Sequence, residues 1–160
     1  ISKLFSAGDL SKTIIPFYVC VTDMESHECS YLDNGDGKSL IIASCSVVPV
    51  LEPLIYEGKF LADGGILDMM PTTPLIKHDY PILGINLMAD EMPQKHTFLS
   101  LTKRVWHLLL TTSLPSDIKR CSWYISPSQI TKIKIFSLNN LQAGFDLGYK
   151  QGLEWCETKL

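Results

Sequence analysis

Apolar positions fall into short runs that predict a series of β-strands. Residues 13–23 are β-rich and almost continuously apolar, which is typical of a strand buried on both faces. Residues 27–33 alternate as its partner strand, and residues 54–62 form a predicted hairpin with Glu57-Gly58 at its tip. Residues 81–88 predict another buried strand. Shorter strands are expected at 123–126 and 132–136.

Helical periodicity predicts one short and two long helices. Residues 39–47 predict a short buried helix that ends before Pro49. The apolar arc of residues 97–112 exceeds half the helix circumference, so the helix packs in the core or lies on a lipid surface. Core packing is favoured because the polar face carries little positive charge. Residues 142–157 predict a last helix. One face of this helix carries a stripe of three glycines, Gly144, Gly148 and Gly152. The stripe indicates close packing against a neighbouring backbone.

The mixture of helices with strongly apolar strands predicts an α/β or three-layer fold. The chain has 160 residues, of which 46% are hydrophobic and 19% charged, so one globular domain over residues 1–160 is expected. The net charge is −3 and the 14 Lys and Arg residues are scattered, which argues against a nucleic-acid partner. No apolar run reaches the roughly 18 residues that a transmembrane helix needs.

The five cysteines are odd in number and form no C-x-x-C pair, so a disulfide framework is not expected. Buried, reduced thiols and a cytoplasmic location fit this pattern better. Cys45, between two serines, has no histidine or cation nearby and is predicted to be a buried thiol rather than a nucleophile. The four histidines show no metal-ligand spacing, and Gly37-Lys38-Ser39 lacks the glycine arch of a phosphate loop. No metal or cofactor is therefore expected.

The sharpest candidate for chemistry is Asp63, which ends a predicted strand and precedes Gly64 and Gly65. An aspartate in this position is ordinary turn chemistry. The functional alternative is a catalytic base, because apolar neighbours would desolvate the carboxyl group and raise its pKa. The two glycines would let a substrate or another backbone approach closely. The apolar neighbours are Leu61, Ile66, Met69 and Met70.

Three further aspartates have simpler interpretations. Asp68, one turn beyond Asp63, is expected to fix the loop rather than to do chemistry. Asp23 and Asp33 are expected to end strands and cap turns.

Five separated segments together resemble the patatin-like phospholipases. The segments are I-P-x to T-D at 15–23, A-S-C-S-V-x-P at 43–49, D-G-G-x-x-D-x-x-P at 63–71, Y-I-S-P at 124–127 and F-D-L-G-Y at 145–149. They keep the family's order and cover most of the chain. The resemblance implies a three-layer α/β fold and a serine acyl hydrolase with a Ser–Asp dyad and no histidine. In that dyad Asp63 is the aspartate, and Gly64 and Gly65 belong to the binding site.

The chain departs from the family pattern at the nucleophile. No G-x-S-x-G elbow and no glycine-rich oxyanion loop occur in these 160 residues. The nearest candidate, Ser6, has Leu4 in place of the first glycine. Because the family carries both elements upstream of the I-P-x strand, this chain is expected to be the C-terminal part of the fold and inactive alone. Its first partner is then the missing N-terminal segment of the same protein.

The sequence therefore predicts a lipid acyl hydrolase of phospholipase A or esterase type, with a lipid or acyl ester as substrate. Transient contact with a membrane surface is a further expectation. The alternative is a non-catalytic, truncated or degenerate relative that acts as a binding or interaction module. The residues that precede Ile1 in the protein discriminate between these alternatives.

Overall fold

The larger part of the fold is a four-stranded antiparallel sheet with the order β2-β1-β4-β3. The computed structural model describes residues 8–88, 97–127 and 141–159. The strands are β1 (Val19–Asp23), β2 (Glu28–Leu32), β3 (Leu54–Tyr56) and β4 (Lys59–Asp63). The mixture of helices and sheets is consistent with the predicted α/β class.

Strand β1 lies at the centre of this sheet, and all five of its residues are buried. It pairs with β2 from Val19↔Leu32 to Asp23↔Glu28, and with β4 through Val21↔Asp63. The predicted burial on both faces is confirmed, but the strand is shorter than residues 13–23. Strand β2 ends opposite Val19, and Pro16 has no N–H to donate, so the preceding residues lack a β-ladder.

Helix α1 (Gly37–Ser44) covers the sheet and completes the core. Asp36 is its N-cap, with the carboxylate accepting a hydrogen bond from the Ser39 N–H at 3.0 Å. The helix therefore begins two residues before its predicted start, because Asp is a strong N-cap residue. The buried core comprises Leu10, Val19, Val21, Leu40, Ala43 and Leu61.

A second, parallel sheet contains only β5 (Leu83–Ile85) and β6 (Trp123–Ile125) among the described residues. A strand does form within the predicted residues 81–88, but the prediction that it is buried is wrong. Gly84 is buried, but both flanking residues of β5 are exposed. Among the described residues β5 pairs with β6 alone, and the side chains of Leu83 and Ile85 are open to solvent.

The remaining α-helices are α2 (Phe98–Leu110), α3 (Leu114–Arg120) and α4 (Leu141–Lys159). No residue of α2 is buried, so the favoured prediction of core packing is wrong for the described structure. The predicted close packing along the glycine stripe of α4 is also wrong, because a Cβ added at any of its three glycines meets no atom within 4 Å. The helix instead contacts β6 through Trp155, whose ring centroid lies 6.1 Å from that of Trp123.

Some predictions concern residues outside the described ranges. These are the strand at 132–136 and the Ser6 segment. Within residues 8–88, 97–127 and 141–159, no helix has the length and apolar character that crossing a membrane requires.

Candidate active site

The backbone of Asp63 is held by two neighbouring segments at the end of β4. Its N–H donates to the carbonyl oxygen of Ser46 at 3.1 Å. Its own carbonyl oxygen accepts a hydrogen bond from Thr22 Oγ1 at 3.0 Å. The structure thus brings together three of the five segments singled out in the sequence, namely 15–23, 43–49 and 63–71. Their meeting point is this aspartate.

The Asp63 carboxylate is half-buried and has one oxygen fixed. Oδ1 accepts a hydrogen bond from the Gly65 N–H at 2.7 Å and caps the 3₁₀ turn Gly64–Ile66. Within the described part of the chain, no residue donates a hydrogen bond to Oδ2. Burial raises the pKa of Asp63, and the Gly65 N–H opposes that rise by favouring the charged form. Asp63 therefore has the turn role of the simpler interpretation together with the raised pKa that a base needs.

The two glycines after Asp63 occupy crowded positions. A Cβ on Gly64 would lie 2.6 Å from the carbonyl carbon and oxygen of Cys20 in β1, and it would also collide with the Cys20 sulfur. A Cβ on Gly65 would lie 3.0 Å from Asp63 Oδ1. The prediction that these glycines allow another backbone to approach is confirmed at Gly64, where that backbone is β1. Their role in binding a substrate stays a prediction.

Asp68 fixes the loop, as predicted. It is buried, and its Oδ2 accepts a hydrogen bond from the Tyr31 hydroxyl at 2.6 Å. Its Oδ1 accepts one from the Met70 N–H at 3.3 Å. No sequence motif indicated Tyr31, which lies two residues from Cys29 on β2 and therefore on the same face of the sheet.

A second buried carboxylate, Asp117 of α3, anchors the loop that follows residue 71. Its Oδ1 accepts hydrogen bonds from Thr72 Oγ1 at 3.3 Å and from Arg120 Nη1 at 3.1 Å. Burial raises the pKa of Asp117, and the nearby Asp68 adds to that rise. No sequence motif indicated this contact, because α3 lies 45 residues from Thr72.

Two adjoining clefts lie on the side of the sheet that faces this loop. Their volumes are about 210 and 340 Å³, and they share Pro16, Tyr18 and Leu75. The smaller cleft is also lined by Cys20, whose sulfur lies against Gly64. Asp63 itself lines neither cleft. The pair forms a mainly apolar groove, and Cys20 is the lining residue that contacts the Asp63–Gly65 turn.

The prediction for Cys45 is wrong, whereas the prediction for Asp23 is confirmed. Cys45 is exposed, so its prediction as a buried thiol is wrong. Helix α1 ends at Ser44, and the neighbours that face the core there are Ala43 and Ser46. Asp23 ends β1 and accepts the N–H groups of the next turn, as predicted.

The pKa of the Cys45 thiol is raised by partial desolvation and by the Asp63 charge, which disfavours a thiolate nucleophile. Among the described residues, no three His, Cys, Asp or Glu side chains are grouped as a metal site would require.

Comparison with known proteins finds partial similarity to one group. No family model matches the chain. A stretch of 61 residues is 34% identical to uncharacterized NTE family proteins of Mycobacterium bovis and Mycobacterium tuberculosis, and covers 38% of this chain and 17% of those proteins. A stretch of 75 residues is 28% identical to lysophospholipase NTE1 of Debaryomyces hansenii, and covers 47% of this chain and 5% of that protein. The chain is thus distantly related to NTE family proteins, and the similarity spans a small part of their length.

Proposed function

We propose that this chain is the C-terminal part of a patatin-like lipid acyl hydrolase in which Asp63 is the base of a Ser–Asp dyad. Its distant relatives, the NTE family proteins, are patatin-domain proteins, and one of them is named a lysophospholipase. The proposal rests on the environment of the Asp63 carboxylate. It is half-buried with a raised pKa, it has one oxygen fixed, and its backbone is held from two sides.

The chemistry requires a base that works without histidine. A serine hydroxyl is a poor nucleophile until a neighbouring group accepts its proton. Desolvation raises the pKa of Asp63 towards a value at which a carboxylate can accept that proton. The Gly65 N–H holds Oδ1, so Oδ2 is the oxygen that faces the serine hydroxyl.

The nucleophile and the oxyanion donors come from a segment outside these 160 residues. The serine attacks the ester carbonyl, its proton passes to Asp63, and backbone N–H groups stabilise the oxyanion. Water then releases the acyl group from the serine. The missing segment is thus a partner of this chain in the same protein.

The substrate is a lipid or another acyl ester. The apolar groove that reaches the Asp63–Gly65 turn through Cys20 suits a hydrocarbon chain, because most of its lining side chains carry no polar group. Transient contact with a membrane surface is part of the proposal, since α2 exposes large apolar residues such as Phe98 and Leu109. A cytoplasmic location is also proposed, because all five cysteines are free thiols.

The second candidate is a non-catalytic binding module. The observation in its favour is that no G-x-S-x-G elbow occurs in these residues. In that case Asp63 acts only as the cap of the 3₁₀ turn. The sequence that precedes Ile1 in the protein discriminates, because an elbow and a glycine-rich loop there favour the hydrolase.

Asp63→Asn in the whole protein tests the dyad. Asn is nearly isosteric and can still accept the Gly65 N–H, so the fold should persist. Loss of the general base should lower the hydrolysis rate of a p-nitrophenyl ester by about 10²- to 10⁴-fold. The matched control is Asp33→Asn, at an exposed aspartate, which should leave the rate unchanged. Turnover by Asp63→Asn at the wild-type rate refutes the assigned role.

A further inference from the structure

Two cysteine side chains are in direct contact on one face of the central sheet. Cys20 of β1 is paired with Tyr31, and Cys29 of β2 is paired with Thr22, so the two cysteines are diagonal neighbours on the same face. Their sulfur atoms are 3.2 Å apart. Both are free thiols. Neither the proposed hydrolase chemistry nor the core packing requires this contact.

The two thiols differ in exposure and in acidity. Cys20 is buried, whereas Cys29 is partly exposed and can meet a small oxidant. The hydrogen bond between the two sulfurs holds the pKa of Cys29 below its ordinary value and, together with burial, raises the pKa of Cys20. Cys29 is therefore the sulfur that more readily becomes a thiolate, and the thiolate is the reactive form.

We propose that Cys20 and Cys29 form a redox-active pair that a peroxide oxidises to a disulfide between β1 and β2. The Cys29 thiolate attacks one peroxide oxygen, the O–O bond breaks, and Cys29 becomes a sulfenic acid as the other oxygen leaves as hydroxide. The Cys20 sulfur then attacks the Cys29 sulfur, the S–O bond breaks, and water leaves. Overall, two thiols and one hydrogen peroxide give one disulfide and two water molecules.

The geometry connects this pair to the Asp63–Gly65 turn. A disulfide needs a sulfur separation of about 2.05 Å, so the 3.2 Å gap must close by about 1.2 Å. The Cys20 sulfur lies against Gly64, where no space remains even for a methyl group. The movement therefore takes place directly beneath the turn. The disulfide itself forms whether or not Asp63 catalyses hydrolysis.

Peptide mapping after peroxide treatment tests the proposal. The reduced, folded protein is treated with hydrogen peroxide, it is then unfolded so that all remaining thiols are alkylated, and it is digested with trypsin. Both cysteines then lie in the peptide of residues 13–38, because no Lys or Arg separates them. Glu25 and Glu28 do separate them, so a glutamate-specific protease divides that peptide between the cysteines.

We expect the two fragments to stay joined after peroxide treatment and to separate when dithiothreitol is added. Without peroxide both cysteines should be alkylated. Cys29→Ser should abolish the joined species and leave Cys20 alkylated, whereas Cys45→Ser, at an exposed cysteine outside the pair, should not change it. The proposal is overturned if the wild-type fragments separate without reductant and both cysteines remain alkylated after peroxide, a result that needs no variant to interpret.

Discussion

The contact between Gly64 and β1 predicts a strong effect of a single methyl group. In Gly64→Ala the added Cβ would lie 2.6 Å from the backbone carbon and oxygen of Cys20. Non-bonded carbon atoms are most stable at about 3.5 to 4.0 Å, so the overlap is about 1 Å. The Cys20 carbonyl belongs to the central strand and cannot rotate away as a side chain could. Either β1 or the Asp63–Gly65 turn must move.

The expected cost follows from what such a movement disturbs. Overpacking at a rigid contact costs about 1 to 3 kcal/mol of unfolding free energy. The turn is also tied to its surroundings by the Asp63 hydrogen bonds to Thr22 and Ser46, each of which contributes roughly 1 kcal/mol when well formed. We therefore expect Gly64→Ala to lie towards the upper end of that range. This loss is a large fraction of the roughly 5 to 15 kcal/mol that stabilises a typical domain.

Urea denaturation of the protein measures the effect as a shift of the unfolding midpoint. Gly148→Ala, in the middle of α4, is the matched control because its added Cβ meets no atom within 4 Å. It should raise the stability by about 0.5 to 1 kcal/mol, since alanine is the better helix former. If Gly64→Ala is as stable as the wild type while Gly148→Ala behaves as expected, the tight contact with β1 is not what constrains this position.

Two further predictions concern carboxylates. Burial raises the pKa of Asp63 above its ordinary 3.8, so its protonated form stabilises the folded state at low pH and this contribution is lost as pH rises through the folded pKa. Asp63→Asn should therefore be at least as stable as the wild type at neutral pH, with its relative stability falling in acid; a pH-independent difference in urea midpoints contradicts this. Tyr31→Phe leaves an oxygen of the buried Asp68 without its donor and should cost about 1 to 3 kcal/mol. Tyr80→Phe, at a tyrosine that is 77% exposed, is the control, and equal midpoints for the two variants would contradict the reasoning.

The β-hairpins could be predicted because their signals are local. The Glu57-Gly58 tip supplies two consecutive residues with positive φ, 50° and 79°, as a tight two-residue hairpin loop requires. The continuous apolar character of β1 likewise matches its observed burial. Strand β2 forms where it was predicted, but its burial does not alternate, because the four residues after Glu28 are all partly buried. In each case the residues that decide the element lie within a few positions of one another.

The environment of the helices could not be predicted in the same way. The apolar arc of α2 shows that one face avoids water, but the arc is the same whether protein or lipid covers it. The glycine stripe of α4 is likewise compatible with close packing and with an exposed face. Periodicity identifies such a face, but it does not predict what packs against that face.

The contacts that define the candidate site join distant parts of the chain. Thr22 and Asp63 are 41 residues apart, and Tyr31 and Asp68 are 37 apart. No local pattern connects such pairs, so the resemblance singled out the segments of the first pair without predicting that they meet. The contact between Cys20 and Cys29 is similar, because it depends on the register of β1 against β2 and on the rotamers of both cysteines.

The two interpretations of Asp63 make different demands on its environment. A turn aspartate works best when hydrogen-bond donors stabilise its charge, as at Asp23 and Asp36, whose pKa values are lowered. At Asp63 the cap bond from Gly65 acts in the same direction, but burial outweighs it and the pKa is raised. An asparagine could make the same cap without the cost of burying a charge. A position that keeps an ionisable group at a cost in stability, where a neutral one would serve the fold, is typical of a site whose proton is used.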